Sequence, residues 1–205
     1  MTTSWRLDDA QAVADENPYT FHKPSATAVS ALTPGERAKL IFLFDSDDPE
    51  APTGERMWVE ILSIGDGVFE GRLANEPLYI QGLAPGETVR FEARHIIDVS
   101  VDDPEPSMAR KYARYCLVSR DAYDDGGNVG FMYREQPVDD QDSGWCFMSG
   151  EESNDYLDDP ANVLNLPLGA VLAKDDSFAA LLSWPPEVAF ERAEDGTFRE
   201  VSMPQ

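Results

Sequence analysis

Basic residues are scarce in this chain. Its 205 residues include 16 Lys and Arg against 39 Asp and Glu, a formal charge of −23. A surface so short of cations does not grip a phosphate backbone, which excludes nucleic-acid binding, and it is repelled by an anionic membrane. Histidine is scarcer still. Only His22 and His95 exist, both in the N-terminal half. The C-terminal half therefore lacks the usual general base, and Cys116 and Cys146 have no partner nearby in sequence to make a thiolate. His95, inside the apolar pattern Arg94-His95-Ile96-Ile97, is expected to be a hydrogen-bonded structural residue. Two cysteines make neither a disulfide framework nor, with two dispersed histidines, a zinc site; both are expected as small buried thiols.

Other absences narrow the class further. No apolar run is long enough to span a bilayer, the longest block being Leu40 to Phe44. The opening residues, Met1 to Glu16, have neither the basic nor the apolar region of a signal peptide, so a cytoplasmic location is expected. No Gly-x-Gly-x-x-Gly run and no Walker-type Lys is present. Asp121 to Asn128 has the acids and glycines of a calcium loop. It fails the EF-hand register, because Tyr123 takes the third position and Met132 the twelfth. No cofactor and no dedicated metal site are expected, only adventitious divalent cations. Paired carboxylates of the glycosidase kind arise by chance in so acidic a chain.

What is present suffices for a packed core: 42% of residues are hydrophobic and 10% aromatic. The chain divides near Asp102-Asp103-Pro104-Glu105-Pro106-Ser107, where two prolines among acids read as a linker. Residues 1–106 carry 20 acids and 8 bases, net −12; residues 107–205 carry 19 and 8, net −11. The acidity thus belongs to both halves rather than to a tail. Two domains are expected, 1–106 and 107–205. The fold class is α+β: a strand-rich N-terminal domain, as a small barrel-like or antiparallel sheet, and an α+β C-terminal domain with an antiparallel sheet and short helices.

Local patterns place the elements. Lys39 to Phe44 reads as a buried strand. The loop Asp45 to Gly54 leads to a strand over Met57 to Ile64. Gly65-Asp66-Gly67 then turns the chain into a hairpin with Val68 to Leu73. Val89 to Val101 holds another strand or two. Leu32-Thr33-Pro34-Gly35-Glu36 and Leu83-Ala84-Pro85-Gly86-Glu87 repeat one type II turn signal, each feeding a strand. Beyond the linker, Tyr115 to Ser119 and Val129 to Arg134 read as strands around a turn at 124–128, and Trp145 to Ser149 as a third. Asp176 to Leu182 reads as a short helix capped by Asp175 or Asp176. Glu187 to Arg192 and Thr197 to Val201 flank the hairpin signal Asp195-Gly196, and Ser202 to Gln205 are expected to fray.

The most polarised stretch, Glu135 to Asp159, holds nine acids and no Lys or Arg. Charge runs usually face water. A run of this kind can also steer a basic partner and reject others. The candidate partner-binding residues are Asp139, Asp140, Asp142, Glu151, Glu152 and Asp155, with Trp145 or Tyr156 as a desolvated aromatic anchor. Trp145 is equally placed to be core, beside Cys146 and Phe147.

Within this stretch, Val129-Gly130-Phe131-Met132-Tyr133-Arg134-Glu135 is followed by Asp142-Ser143-Gly144-Trp145-Cys146-Phe147-Met148-Ser149-Gly150-Glu151-Glu152. Together with Cys116 to Ser119, Tyr156 to Asn162 and Pro186 to Arg192, this resembles bacterial immunity protein family thirty-three over residues 113–195. The N-terminal half, through Met57 to Glu60, Gly71 to Pro77 and Val89 to Ile97, resembles an uncharacterised bacterial domain of the YegJ-like type, which implies no activity. The immunity resemblance implies a non-enzymatic protein that binds and masks a toxin made by the same cell, and it supplies no catalytic residues. Many such toxins are nucleases with basic grooves, which carboxylates can occupy in place of phosphates. Two functions follow: a cytoplasmic immunity protein that neutralises a cognate, basic toxin through an acidic surface, or an accessory or regulatory module with another protein ligand. The expected partner is a cognate toxin or other basic protein. Self-repulsion favours a monomer or small oligomer.

Overall fold

A computed structural model describes residues 4–46, 50–124 and 126–204. The chain forms two compact units, Met1–Ser107 and Met108–Gln205. Parts of the expected 45–54 loop (47–49), of the 124–128 turn (Asp125) and of the C-terminal tail (Gln205) lie outside the described residues.

The first unit contains β1 (Trp5–Leu7), α1 (Ala10–Glu16), α2 (Ala26–Ser30), β2 (Arg37–Phe44), β3 (Gly54–Gly65), β4 (Val68–Leu73), β5 (Thr88–Glu92) and β6 (Ile96–Val99). Its antiparallel sheet runs β1-β2-β3-β4-β5, with β6 also pairing β2, so that it curls into a nearly closed barrel. In β2, Ala38, Leu40, Phe42 and Phe44 alternate inward and are buried. They meet Val59 and Ile61 of β3 and the stacked cross-strand pair Phe69–Phe91, whose rings lie 5.2 Å apart. The two Pro-Gly turns dock in the same way. Gly35 N–H donates to the Ile61 carbonyl and Ile61 N–H to Glu36; Gly86 N–H donates to Leu73 and Leu73 N–H to Glu87. Both glycines sit at positive φ, +98° and +88°, as a type II turn requires.

Two helices were not legible in the strand-like pattern of this half. The Asp9 carboxylate caps α1, and the Ser25 hydroxyl caps α2. Two acids of the expected linker are engaged rather than free: Asp103 accepts from both the amide and hydroxyl of Ser25, and Glu105 from the Thr27 hydroxyl. His95 is structural, its Nδ1 accepting from the Glu92 amide at 2.9 Å. Burial, aided by the neighbouring Arg94, lowers its pKa.

The second unit contains α3 (Met108–Lys111), β7 (Tyr115–Ser119), α4 (Arg120–Tyr123), β8 (Phe131–Arg134), β9 (Asp142–Met148), α5 (Asn154–Leu157), β10 (Val163–Pro167), α6 (Leu168–Leu172), β11 (Val188–Arg192) and β12 (Phe198–Val201). The sheet order is β10-β7-β9-β8-β11-β12. The unit is α+β with short helices as expected, and its sheet is mixed: among the described residues four of the five pairings are antiparallel and β7–β9 is parallel. β9 inserts between β7 and β8 and runs parallel to β7, so those two strands are not a hairpin. The expected helix over 176–182 is a 3-10 turn at Ala179–Ser183 with no side-chain cap. The buried helix against the sheet is instead α6, with Leu168, Val171 and Leu172 buried. The β11–β12 hairpin forms around Gly196 at φ +82°.

Candidate binding face

Strand pairing sorts the C-terminal sheet into two faces. One row reads Leu164, Val118, Phe147, Met132 and Phe190 across five strands. Four of these, Val118, Phe147, Met132 and Phe190, are buried; Phe178 packs its ring against Phe147, and α6 lies against β7 and β10. The next row reads Asn165, Leu117, Cys146, Tyr133 and Ala189. It lies on the opposite face, because successive residues of a strand alternate. Its strand β7 is open: Leu117 is 44% and Tyr115 42% exposed.

Trp145 belongs to the closed face. It is 1% exposed, its indole N–H donates to the Leu182 carbonyl at 3.4 Å, and its ring packs by Phe147 and Phe190. Of the two positions anticipated for it, core or surface anchor, the fold gives it the first. The guanidinium of Arg134 lies over its ring, held by the Ser143 and Trp184 carbonyls.

The nine-acid run is divided by β9 itself. Asp139, Asp140 and Asp142 lie at or before the start of this seven-residue strand; Glu151, Glu152, Asp155 and Tyr156 follow its end. At about 3.3 Å per residue the two groups stand roughly 20 Å apart. Several of the acids shape loops. Asp139 accepts from the Gln141 and Asp142 amides (2.8 and 2.9 Å). Asp142 accepts from Val138 (2.9 Å) and Gly144 (2.8 Å). Burial alone would raise the Asp142 pKa, but these amides, with Arg114 and Arg134 nearby, hold it low. Glu152 accepts from the Ser119 hydroxyl and from the Ser149 and Gly150 amides. Tyr156 donates its hydroxyl to Asp121 at 2.8 Å. Asp140, Glu151 and Asp155 are exposed, and among the described residues their carboxylates take no hydrogen bond or ion pair.

A cleft of about 330 Å³ opens where β7 and β9 meet the 135–142 loop. Tyr115, Leu117 and Val138 supply its apolar wall, and Glu135, Asp139 and Asp142 its charge. The sequence reading missed these three apolar residues. The signal was the alternation in Tyr115-Cys116-Leu117-Val118: if Cys116 and Val118 face inward, Tyr115 and Leu117 face out. Neither thiol is poised for chemistry. Burial pushes the Cys146 pKa up to about 11 and raises that of Cys116 as well. Tyr133, paired with Cys146 across β8 and β9, offsets part of the effect of burial on the Cys146 thiol. Among the described residues no group of three His, Cys, Asp or Glu is arranged to hold a metal ion, and no helix is long and apolar enough to cross a membrane.

Residues 116–202 match the family model of the Immunity protein Imm33 domain. The Imm33 match begins in β7 and ends just past β12, so it takes in all six strands of the C-terminal sheet. The N-terminal unit matches, over residues 10–105, a family described as an uncharacterized protein conserved in bacteria (DUF2314). Both halves thus match the kinds of family that their residues resemble. No curated protein and no solved structure matches the chain.

Proposed function

We propose that this protein is a non-enzymatic, cytoplasmic immunity protein that binds and neutralises a cognate toxin through the acidic C-terminal unit. The observation that carries the reading is the Imm33 match across the whole C-terminal sheet. Physical features support it. That half carries a net charge of −11, and among the described residues the carboxylates of its exposed acids Asp140, Glu151 and Asp155 take no hydrogen bond or ion pair. Fixed carboxylates of this kind accelerate encounter with a basic surface such as a nuclease groove. The two buried thiols are held neutral, and neither histidine lies in this unit, which fits a role by binding rather than by chemistry.

The test is to ask whether an adjacent gene encodes a toxin domain and to co-express the chain with it. Growth restored by the full chain, with the purified pair forming a stoichiometric complex, is the expected result. A toxin that still kills, and no complex, would return the chain to the alternative of an accessory module with another protein ligand.

A further inference from the structure

The cleft between β7, β9 and the 135–142 loop combines two properties that do not usually coincide on a monomer. Its wall is apolar and open: Val138 is 87% exposed, Leu117 44% and Tyr115 42%. Single exposed apolar residues are ordinary, but three around one concavity are not. Its rim is anionic, with Glu135, Asp139 and Asp142 and, among the described lining residues, no Lys or Arg. Arg114 lies behind the loop, donating to the Asp140 carbonyl at 3.2 Å, and offsets part of the charge at Asp142.

The exposed valine is not on a loose loop. Its own amide donates to Asp142, the Gln141 and Asp142 amides donate to Asp139, and the Gln141 carbonyl accepts from Tyr115 at 2.7 Å. Holding an apolar side chain in water on a pre-ordered loop costs stability and gains nothing within the fold. It lowers the ordering cost of an association. An apolar centre enclosed by a charged rim is also the composition of an interface hot spot.

We propose that this cleft takes a basic protein segment that buries one apolar or aromatic side chain against Leu117, Tyr115 and Val138 while its flanking Lys or Arg face the acidic rim. The proposal rests on the reading that the chain binds a basic partner, and it locates the anchor of that binding. The occupant's charge follows from the rim, and its apolar side chain from the wall. The pocket on this unit's sheet thus takes over the anchoring role anticipated for Trp145.

The test uses the isotope-labelled full chain and two peptide probes, acetyl-Lys-Arg-Phe-Lys-Arg-amide and the same peptide with Ser in place of Phe. The Phe probe is expected to shift the amides of Tyr115, Leu117 and Val138, and to bind at least about tenfold more tightly than the Ser probe. Leu117→Arg should weaken the Phe probe by at least about tenfold, and Val138→Lys should do the same from a fully exposed position where folding is not at issue. Unchanged thermal unfolding confirms that each variant is folded. Equal binding of the two probes, shifts confined to 151–159 or to the N-terminal unit, or no shift at all overturns the proposal. Growth rescue from the neighbouring toxin is read separately. Rescue that survives both substitutions sinks the cleft and leaves the immunity reading standing. Failed rescue with the expected peptide binding sinks the immunity reading and leaves the cleft.

Discussion

Glu152 accepts a hydrogen bond from the hydroxyl of Ser119, fully buried at the end of β7, and so ties the loop that follows β9 to the strand beside it. The same carboxylate takes the Ser149 amide at 2.6 Å, while the Ser119 hydroxyl also accepts from the Ala122 amide to cap α4. An acid within the polarised run is thus a joint of the fold. Glu152→Ala would leave buried donors unpaired and should cost about 1–3 kcal/mol in denaturant unfolding. Burial alone would raise the Glu152 pKa, but these donors hold it below the ordinary carboxylate value of 4.5. With the folded pKa depressed, the stabilisation is complete above the unfolded value and is lost as pH falls through the folded one. The wild type should lose stability below about pH 4.5 more steeply than Glu152→Gln. Identical acid limbs would disprove the role.

Gly144 has φ +75°, and a Cβ there would stand 2.2 Å from the Glu135 carbonyl oxygen. Its own carbonyl accepts from the Glu135 amide at 2.8 Å, so the backbone needs this close approach to start the β8–β9 pairing. Gly144→Ala meets both a left-handed backbone penalty of about 1–2 kcal/mol and a clash with main chain that cannot swing aside. The urea midpoint should drop sharply, and the Val138 amide should lose protection from hydrogen exchange. Ala tolerated at wild-type stability would show that the loop can relax.

Features set by local chemistry were legible in the sequence. Pro34-Gly35, Pro85-Gly86, Gly65-Asp66-Gly67 and Asp195-Gly196 each dictate their own turn, and the apolar run from Lys39 to Phe44 dictates a strand, although which of its residues face inward appears only in the fold. Features set by pairing across the chain were not. Nothing local says that β9 slips between β7 and β8, yet that insertion splits the acidic run in two and turns Trp145 to the closed face. Leu168 to Leu172 is too short for a helical period to declare itself, so α6 was invisible. Of the candidate site residues, Asp139, Asp142 and Glu152 hold loops through hydrogen bonds, whereas the carboxylates of Asp140, Glu151 and Asp155 take none among the described residues. Composition cannot make that distinction.

The cysteines give a prediction that bears on chemistry. With a pKa of about 11, Cys146 is about one part in a thousand thiolate at pH 8. Cys116 is shifted in the same direction, first by burial, and its thiol donates to the Leu166 carbonyl. Iodoacetamide at pH 8 should label neither thiol in the folded chain at even about a hundredth of the rate in guanidinium. Because the folded pKa values are raised, their contribution to stability is complete below the unfolded value of about 9 and is lost as pH rises beyond it. Cys146→Ala should flatten that alkaline loss. Rapid labelling of one thiol in the native protein would instead reopen a nucleophilic role.

Charge reversal separates steering from architecture. Asp139→Lys or Asp142→Lys removes amide caps from the 135–142 loop, so any loss of toxin binding mixes electrostatics with a collapsed loop. The exposed trio Asp140, Glu151 and Asp155 has no such duty among the described residues. Reversing all three to Lys changes the net charge by +6 and should leave the unfolding midpoint close to wild type. If the immunity reading is right, the association rate with the toxin at low salt should fall by about tenfold or more, while dissociation changes little. The dependence of association on salt should flatten, because the screened long-range term has been removed. Two outcomes discriminate further. An unchanged association rate places the encounter surface elsewhere. A faster dissociation at unchanged association makes these acids direct contacts rather than steering charges, because local contacts act after encounter and long-range fields act before it.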